Sequence, residues 1–221
     1  MRPIHLRFVG ATELPRSISD FDVEQSFRIS NADIAAIRER FRADRRLGVA
    51  LQLVFLRATG RPLDRTVSVP RALLRSLCAA LGVAETTIAS LKTIYQRVAT
   101  LYEHQQWARE YAGITPVDDA VTSELGRALE SLATTAASVD ELVQEAEQWL
   151  FGRQHLLPVD RILRDLARKA FASVEAAALE AVNTEIPTAK QAQVLAAVHS
   201  SRRGRTGGTV LEWLTQPAGK H

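Results

Sequence analysis

The stretch Arg45–Leu63, RRLGVALQLVFLRATGRPL, decides the fold. Its apolar residues recur at i, i+3, i+4, i+7 and i+8, which is the spacing of one face of an α-helix. They are Leu47, Ala50, Leu51, Val54 and Phe55, with Leu53 and Leu56 widening the stripe. Gly60 and Pro62 end the pattern. The stretch therefore predicts a buried central helix that carries arginines at both ends.

The residues on either side also follow helical periodicity, because alanine and leucine dominate at spacings of three and four. Ser19 is a predicted N-cap of a short helix, and Ser30 or Asn31 is the predicted N-cap of the next. Pro70 suits the start of a helix that ends near residue 81. Further helices are predicted at about 85–111, 119–136, 139–153, 158–183 and 187–200. The predicted fold class is all-α, with two small helical subdomains.

A chain of 221 residues can form one large domain or two smaller ones. In the segment 112–120, AGITPVDDA, Gly113 and Pro116 stop one helix, and Asp118 or Asp119 can cap the next. Residues 1–109 carry 17 Lys and Arg against 10 Asp and Glu, a balance of +7. Residues 110–221 carry 11 against 15, or −4, and the two balances sum to the formal net charge of +3. We predict a basic helical subdomain at 1–113, a second helical subdomain at 119–200, and a basic flexible linker with a C-terminal stub at 201–221.

Composition narrows the class of protein. Apolar residues make up 46% and charged residues 24%, the balance of an ordinary globular protein. The single cysteine, Cys78, excludes an internal disulfide and every multi-cysteine zinc pattern. The opening MRPIHLRFVG has no apolar signal region, and no apolar run approaches the roughly 20 residues of a membrane span. We expect a cytoplasmic protein with no membrane partner.

Signatures of catalysis are lacking in the sequence. The five histidines do not have metal-ligand spacing, and neither a nucleophile elbow nor a glycine-rich phosphate loop is present. The adjacent Asp118 and Asp119 are typical of a helix start. We therefore expect no enzyme activity, no catalytic residue, no metal site and no cofactor. His104 is expected to pack between helices beside Trp107.

Residues 74–93, LRSLCAALGVAETTIASLKT, fit the pattern of a helix-turn-helix unit. Cys78 takes the small position of the first helix and Gly82 the corner, where a residue tolerant of positive φ is needed. Apolar residues stand where the helices would cross, at Leu77, Leu81, Val83, Ile88 and Leu91. The second helix would present Thr86, Thr87, Ser90 and Thr93 to DNA, with Lys92 and Arg97 near phosphates. Any two helices that meet at a glycine give a similar pattern, so simple packing is the alternative.

The second feature that is compatible with nucleic-acid binding is the excess of arginine over lysine. Only four of the 28 basic residues are lysine. The planar guanidinium suits phosphates and guanine edges, although a GC-rich genome would give the same bias. One cluster contains Arg38, Arg42 and Arg45 or Arg46, and another contains Arg57, Arg61 and Arg65. Both clusters lie within residues 1–109, the basic half of the chain, and their arginines are predicted to contact phosphates. Arg161, Arg164 and Arg168 alternate with aspartates, which favours local ion pairs over DNA.

The order of these segments resembles the N-terminal region of transposases of the Tn-three family of replicative transposons. RLGVALQL, at residues 46–53, is similar to a family run of Arg-Leu-Gly-Phe-Ala-Leu-Gln-Leu, with Val49 in place of the aromatic residue. Tyr95, Arg97, Thr100 and His104 repeat a family spacing, and LLPVDRIL at 156–163 is also similar. The resemblance extends over most of the chain and is strongest from about 26 to 113.

The resemblance implies a function. In that family the N-terminal helical domains bind the terminal inverted repeats, and a metal-dependent DDE nuclease domain lies far towards the C-terminus. The chain is thus expected to bind double-stranded DNA at these repeats as a non-catalytic part of a transposase, and to be nucleoid-associated when bound. An excised fragment, a truncated gene product and a stand-alone relative all fit. The expected DNA-binding residues are Arg45, Arg46, Arg57, Arg61, Arg65, Thr86, Thr87, Ser90, Lys92, Thr93 and Arg97.

A second class of function is compatible with the same sequence. A helical protein-interaction or regulatory module would use the acidic back half as its partner surface. Such a chain could form a homodimer, or bind a full-length transposase and inhibit it. Nucleic-acid affinity distinguishes the two classes, because the first requires it and the second does not.

Overall fold

The computed structural model describes residues 6–64, 69–84, 93–185 and 188–198. Within these ranges the regular elements are helices, and Thr115 and His155 form an isolated bridge. The predicted all-α class is confirmed. The helices are α1 (Asp20–Ser26), α2 (Asn31–Arg40), α3 (Ala43–Thr59), α4 (Arg71–Leu81), α5 (Val98–Tyr111), α6 (Asp119–Ala133), α7 (Val139–Gly152), α8 (Asp160–Glu185) and α9 (Thr188–Val198).

The contacts divide the chain into unit one, Met1–Ala170, and unit two, Phe171–His221. The division lies at Ala170 and not near residues 113–119, where we expected it from the sequence. Backbone hydrogen bonds across the expected boundary explain this difference. The Leu156 amide donates to the Thr115 carbonyl at 2.8 Å, and the Leu157 amide donates to the Gly60 carbonyl at 2.9 Å. The DNA-binding and linker roles assigned to the predicted segments stay predictions.

The first helices begin where side chains can satisfy their free amides. The Ser19 hydroxyl accepts from the Asp22 amide at 3.1 Å, and the Ser30 hydroxyl accepts from the Asp33 amide at 3.1 Å. In both cases the aspartate carboxylate accepts in return from the serine backbone amide, which completes a capping box. Asp118 caps α6 through the Val121 amide. These three predicted helix starts are confirmed.

Helix α3 forms the centre of unit one. Every side chain from Leu47 to Leu56 is buried, so the helix is enclosed on all sides and not only along its predicted stripe. Helices α1, α2, α4 and α5 pack against it. The sequence prediction of a buried central helix is confirmed, and Gly60 ends it with a φ of 73°.

A buried glutamine holds the turn that follows α3. Gln52 is 1% exposed, and its amide nitrogen donates to the Leu63 carbonyl at 2.7 Å. Its amide oxygen accepts from the Leu63 backbone amide at 3.1 Å. Because both ends of the side chain are satisfied, its burial costs little free energy. The residues around Gln52 in the sequence do not indicate this role, because its partner lies 11 residues further along the chain.

Gly48 allows α5 to approach α3 closely. A Cβ atom at this position would lie 2.9 Å from the Tyr95 hydroxyl oxygen and 3.3 Å from Nδ1 of His104. The Tyr95 hydroxyl and His104 Nδ1 are themselves 3.2 Å apart and form a hydrogen bond. The glycine of RLGVALQL is therefore required by packing against the later tyrosine and histidine.

We predict that Gly48→Ala lowers the free energy of unfolding by about 1 to 2 kcal/mol. The added methyl group displaces Tyr95 from His104, and this cost exceeds the gain of about 1 kcal/mol in helix propensity. Gly126→Ala is the matched control, because no described residue beyond its chain neighbours and its own helix backbone has an atom within 4 Å of the added Cβ. That control is expected to raise stability. Urea unfolding of both variants is the measurement, and equal stabilisation would contradict the packing role of Gly48.

Candidate nucleic-acid interface

Three helix ends meet at one edge of unit one. The Nε of Arg46 donates to the Phe41 carbonyl at 3.0 Å, and one of its terminal nitrogens donates to the Arg38 carbonyl at 3.3 Å. These bonds fix the corner between α2 and α3. Arg38 in turn donates to the Leu81 carbonyl at 2.9 Å, which brings the C-terminal end of α4 to the same corner.

The start of α5 joins this corner through polar contacts. Arg45 forms an ion pair with Glu103 of α5, with a nitrogen to oxygen distance of 3.1 Å. Tyr95, which precedes α5, contacts the α3 backbone at Gly48. Arg97 is the N-cap residue of α5 and is exposed. Residues of α4 and α5 thus contact the corner of α2 and α3, and the surface around this corner is rich in arginine.

We call this surface the basic edge. It consists of Arg38, Arg40, Arg42, Arg45, Arg46 and Arg97. Glu39, Asp44 and Glu103 lie in the same segments, which therefore carry six arginines and three carboxylates. Within the described parts of the chain, the exposed side chains of Arg40, Arg42 and Arg97 make no hydrogen bond or ion pair. These three guanidinium groups are available to an external anion.

Arg57 lies at the opposite end of α3, where it connects that helix to α2. Its two terminal nitrogens donate to the Asp33 carboxylate at 2.9 and 3.0 Å. Burial alone would raise the pKa of Asp33, but the hydrogen bonds from Arg57 and Ser30, with the charge of Arg57, lower it to about 2. Fifteen residues separate Arg57 from Arg42, or about 22 Å along a helix. The structure therefore places Arg57 away from the basic edge.

The position of Arg61 corrects an expectation from the sequence. We expected this arginine near phosphates, but the residue is only 6% exposed. One terminal nitrogen donates to Glu147 of α7 at 3.2 Å, and the other donates to the Pro158 carbonyl. A charge is buried in a protein only when it is paired, and Arg61 meets that requirement inside unit one. Its role is to hold the end of α3 against α7.

Several predicted site residues lie outside the described residues: Arg65, Thr86, Thr87, Ser90 and Lys92. The described Thr93 is exposed, as is Arg97. Helix α4 and its turn agree with the pattern expected of a first helix, because Leu77, Cys78 and Leu81 are buried and Gly82 has a φ of 66°. The second helix of that unit falls on residues 85–92, so the helix-turn-helix assignment stays a prediction.

His104 is a buried packing residue, as the sequence predicted. Its ring contacts Phe41 with centroids 5.4 Å apart, and the Phe41 ring also contacts Trp107 at 5.3 Å. Burial, reinforced by the positive charge of Arg45, lowers the pKa of His104 to about 4. The imidazole is therefore neutral at physiological pH.

The remaining charged stripe forms local ion pairs. Arg164 pairs with Asp160 and with Asp140 at 2.6 Å in each case, and Arg168 pairs with Asp165 at 3.2 Å. The prediction of a solvated face with ion pairs is confirmed for these two arginines.

Among the described residues no cluster of three or more His, Cys, Asp or Glu side chains could hold a metal ion. In the same residues no helix is long and apolar enough to span a bilayer.

The chain belongs to a family described as a domain of unknown function (DUF4158), whose model matches residues 10–170. That match ends at the boundary of unit one. The resemblance to the N-terminal region of Tn-three family transposases is confirmed by this match together with two transposases of similar sequence.

Both relatives are longer proteins. The transposase for insertion sequence element IS1071 in transposon Tn5271, from Comamonas testosteroni, is 33% identical over 221 residues, which are 100% of this chain and 22% of that protein. The transposase for transposon Tn1546, from Enterococcus faecium, is 26% identical over 200 residues, which are 87% of this chain and 19% of that protein. The chain spans about a fifth of the length of the curated relatives it matches.

We predict that folding stability decreases as the pH falls from 6.5 towards 4. In the unfolded chain His104 binds a proton below its ordinary pKa of 6.5, whereas in the folded chain it does so only near 4. The unfolded state then binds more protons, so stability is lost across this window by about 2 to 3 kcal/mol. His104→Gln removes the titrating group and is expected to flatten this part of the profile. Urea unfolding at several pH values measures it, and an identical slope in both proteins would contradict the assignment.

Proposed function

We propose that the chain binds double-stranded DNA at the terminal inverted repeats of a transposon, as the non-catalytic N-terminal part of a transposase. The transposase relatives supply the biological context for this proposal. The observation that carries it is the basic edge, where Arg40, Arg42 and Arg97 are exposed and unpaired in the described chain and Arg38 contacts the Gly82 turn. Guanidinium groups in that arrangement suit the phosphates of a duplex.

The strength of the expected phosphate contact follows from the charges that are available. Arg40, Arg42 and Arg97 are unpaired among the described residues, and Arg45 is held only by a half-exposed ion pair with Glu103. Such a surface pair contributes about 0 to 1 kcal/mol, so a phosphate can replace Glu103 as its partner. Three or four neutralised phosphates correspond to a slope of about −3 to −4 in log affinity against log salt. Arg57 and Arg61 make no contribution in this proposal.

The triple variant Arg40→Gln, Arg42→Gln, Arg97→Gln is expected to bind an inverted-repeat duplex and a scrambled duplex more weakly by similar factors. Each lost phosphate contact reduces the salt slope by about 0.9, so the slope should fall by nearly 3. Fluorescence anisotropy with labelled duplexes at several salt concentrations measures both quantities. This experiment also tests the proposed function itself, because the wild-type chain must prefer the repeat.

The control removes three exposed arginines elsewhere in unit one: Arg127→Gln, Arg161→Gln and Arg168→Gln. It changes the net charge by the same amount, so any general charge effect appears in both triples. We expect its salt slope to remain within about one of the wild-type value. Equal losses in the two triple variants would show that the basic edge has no special role.

A protein-interaction function is the second candidate, and unit two favours it. Leu179 and Val182 of α8 are 58% and 50% exposed, and Val194 and Leu195 of α9 are 53% and 58% exposed. Large aliphatic side chains at this exposure on neighbouring helices are typical of surfaces that a partner covers. The carboxamide of Gln191 donates to the Asn183 carbonyl at 3.0 Å, which connects the two helices.

If this surface binds a second copy of the chain, Leu179→Glu with Leu195→Glu should convert a dimer to a monomer, because a charge cannot enter an apolar interface unpaired. Sedimentation velocity over a range of protein concentrations measures this change. A wild-type chain that stays monomeric at high concentration would contradict self-association. A dimer without affinity for DNA would favour this function over the first.

A further inference from the structure

Arg38 occupies an unusual position at the end of α4. The last carbonyls of a helix have no partner within that helix and carry its negative dipole end. The Arg38 guanidinium donates to one of them, the Leu81 carbonyl, at 2.9 Å across 43 residues of sequence. A cation at this place satisfies the carbonyl and complements the dipole.

The guanidinium also lies against the turn itself. A Cβ on Gly82 would be 3.7 Å from a terminal nitrogen of Arg38, so the turn passes directly beside that side chain. The backbone carbonyl of Arg38 accepts a hydrogen bond from Arg46 at 3.3 Å. Arg38 is thus fixed at its backbone by α3 and fixes α4 with its side chain.

We propose that Arg38 is a positioning residue that holds the Gly82 turn at the basic edge, so that DNA is bound with a sequence preference. The sequence predicts Arg38 as part of a phosphate-binding stripe, and its contact with Leu81 indicates a different task. This inference rests on the proposed function of DNA binding. Phosphate contacts supply affinity without regard to sequence, whereas a correctly oriented reading element supplies discrimination.

Arg38→Met tests the inference, because methionine keeps an apolar stem and removes the donor and the charge. The ratio of affinities for the inverted-repeat and scrambled duplexes should fall by about tenfold, which equals about 1.4 kcal/mol. The salt slope and the affinity for the scrambled duplex should fall less than in a variant that loses a phosphate contact, because the Arg38 guanidinium is bonded to the Leu81 carbonyl. Arg38→Lys retains a charged donor and is expected to recover most of the ratio.

Arg40→Met is the matched control, since Arg40 is also exposed on α2 and makes no ion pair in the described chain. This variant should weaken binding to both duplexes equally and reduce the salt slope by about 0.9, with the ratio unchanged. The inference is overturned if Arg38→Met behaves like Arg40→Met, or if it changes neither affinity nor ratio.

Amide hydrogen exchange without DNA provides a readout that does not depend on the proposed function. The Gly82 amide donates to Ala79 at 3.3 Å and the Val83 amide donates to Cys78 at 3.1 Å. Both should exchange faster in Arg38→Met, while the Gly60 amide, bonded to Leu56 at 2.8 Å, should not. Unchanged exchange at Gly82 would refute the positioning role even if DNA binding fails in the wild type.

If Arg38→Met does not fold, Arg38→Lys carries the test, because lysine keeps the charge with a different donor geometry. Its Gly82 amide should exchange nearly as slowly as in the wild type, and its affinity ratio should stay close to the wild-type value. A lysine variant with fast exchange at Gly82 and an unaltered ratio would overturn the inference.

Discussion

The arrangement of unit one depends on the contact of Gly48 with Tyr95 and His104. Without a side chain at Gly48, the tyrosine hydroxyl reaches the α3 backbone and forms its hydrogen bond with the imidazole. That contact fixes the start of α5 beside the arginine-rich start of α3. The burial that makes it possible also lowers the pKa of His104 to about 4, so a neutral ring is part of the folded state. Two segments that resemble the same transposase family, one around Gly48 and one around Tyr95, therefore meet in space.

The arginines of the basic half serve two different purposes. Arg57 and Arg61 hold helices together through Asp33 and Glu147, and removal of either arginine would leave a carboxylate without its cation. Arg40, Arg42 and Arg97 are exposed and, in the described residues, unpaired. Only this second group suits a function of reversible DNA binding. Arginine content by itself does not separate the two groups, because spacing along a helix does not reveal which carboxylate packs against it from elsewhere.

Local sequence patterns predicted most of the helices, but the helix expected at about 85–111 is interrupted before Val98, and the long-range contacts were predicted poorly. Ser19 and Ser30 predicted helix starts, and Gly82 predicted a helix end. These predictions were possible because capping and positive φ depend only on residues that are close in sequence. The charge change near residue 110 suggested a boundary there, but the bond between Leu157 and Gly60 joins both sides into one unit. Arg61 pairs with Glu147, which lies 86 residues further along the chain. The sequence near Arg61 therefore does not indicate that this arginine is buried. For the candidate site, the sequence identified the arginines as possible phosphate contacts. The structure shows which of the described arginines are exposed and unpaired and which are paired with a carboxylate.

The most direct test of DNA binding at the basic edge is hydrogen exchange of the whole chain, measured by mass spectrometry with and without a duplex that carries the inverted repeat. If the basic edge binds DNA, the duplex slows exchange in residues 38–46, 81–84 and 93–97, which contain the basic edge and the Gly82 turn. A scrambled duplex should produce a weaker effect in the same places, since phosphate contacts remain. Slower exchange confined to residues 171–198, or no change with either duplex, would contradict a DNA-binding role for the basic edge.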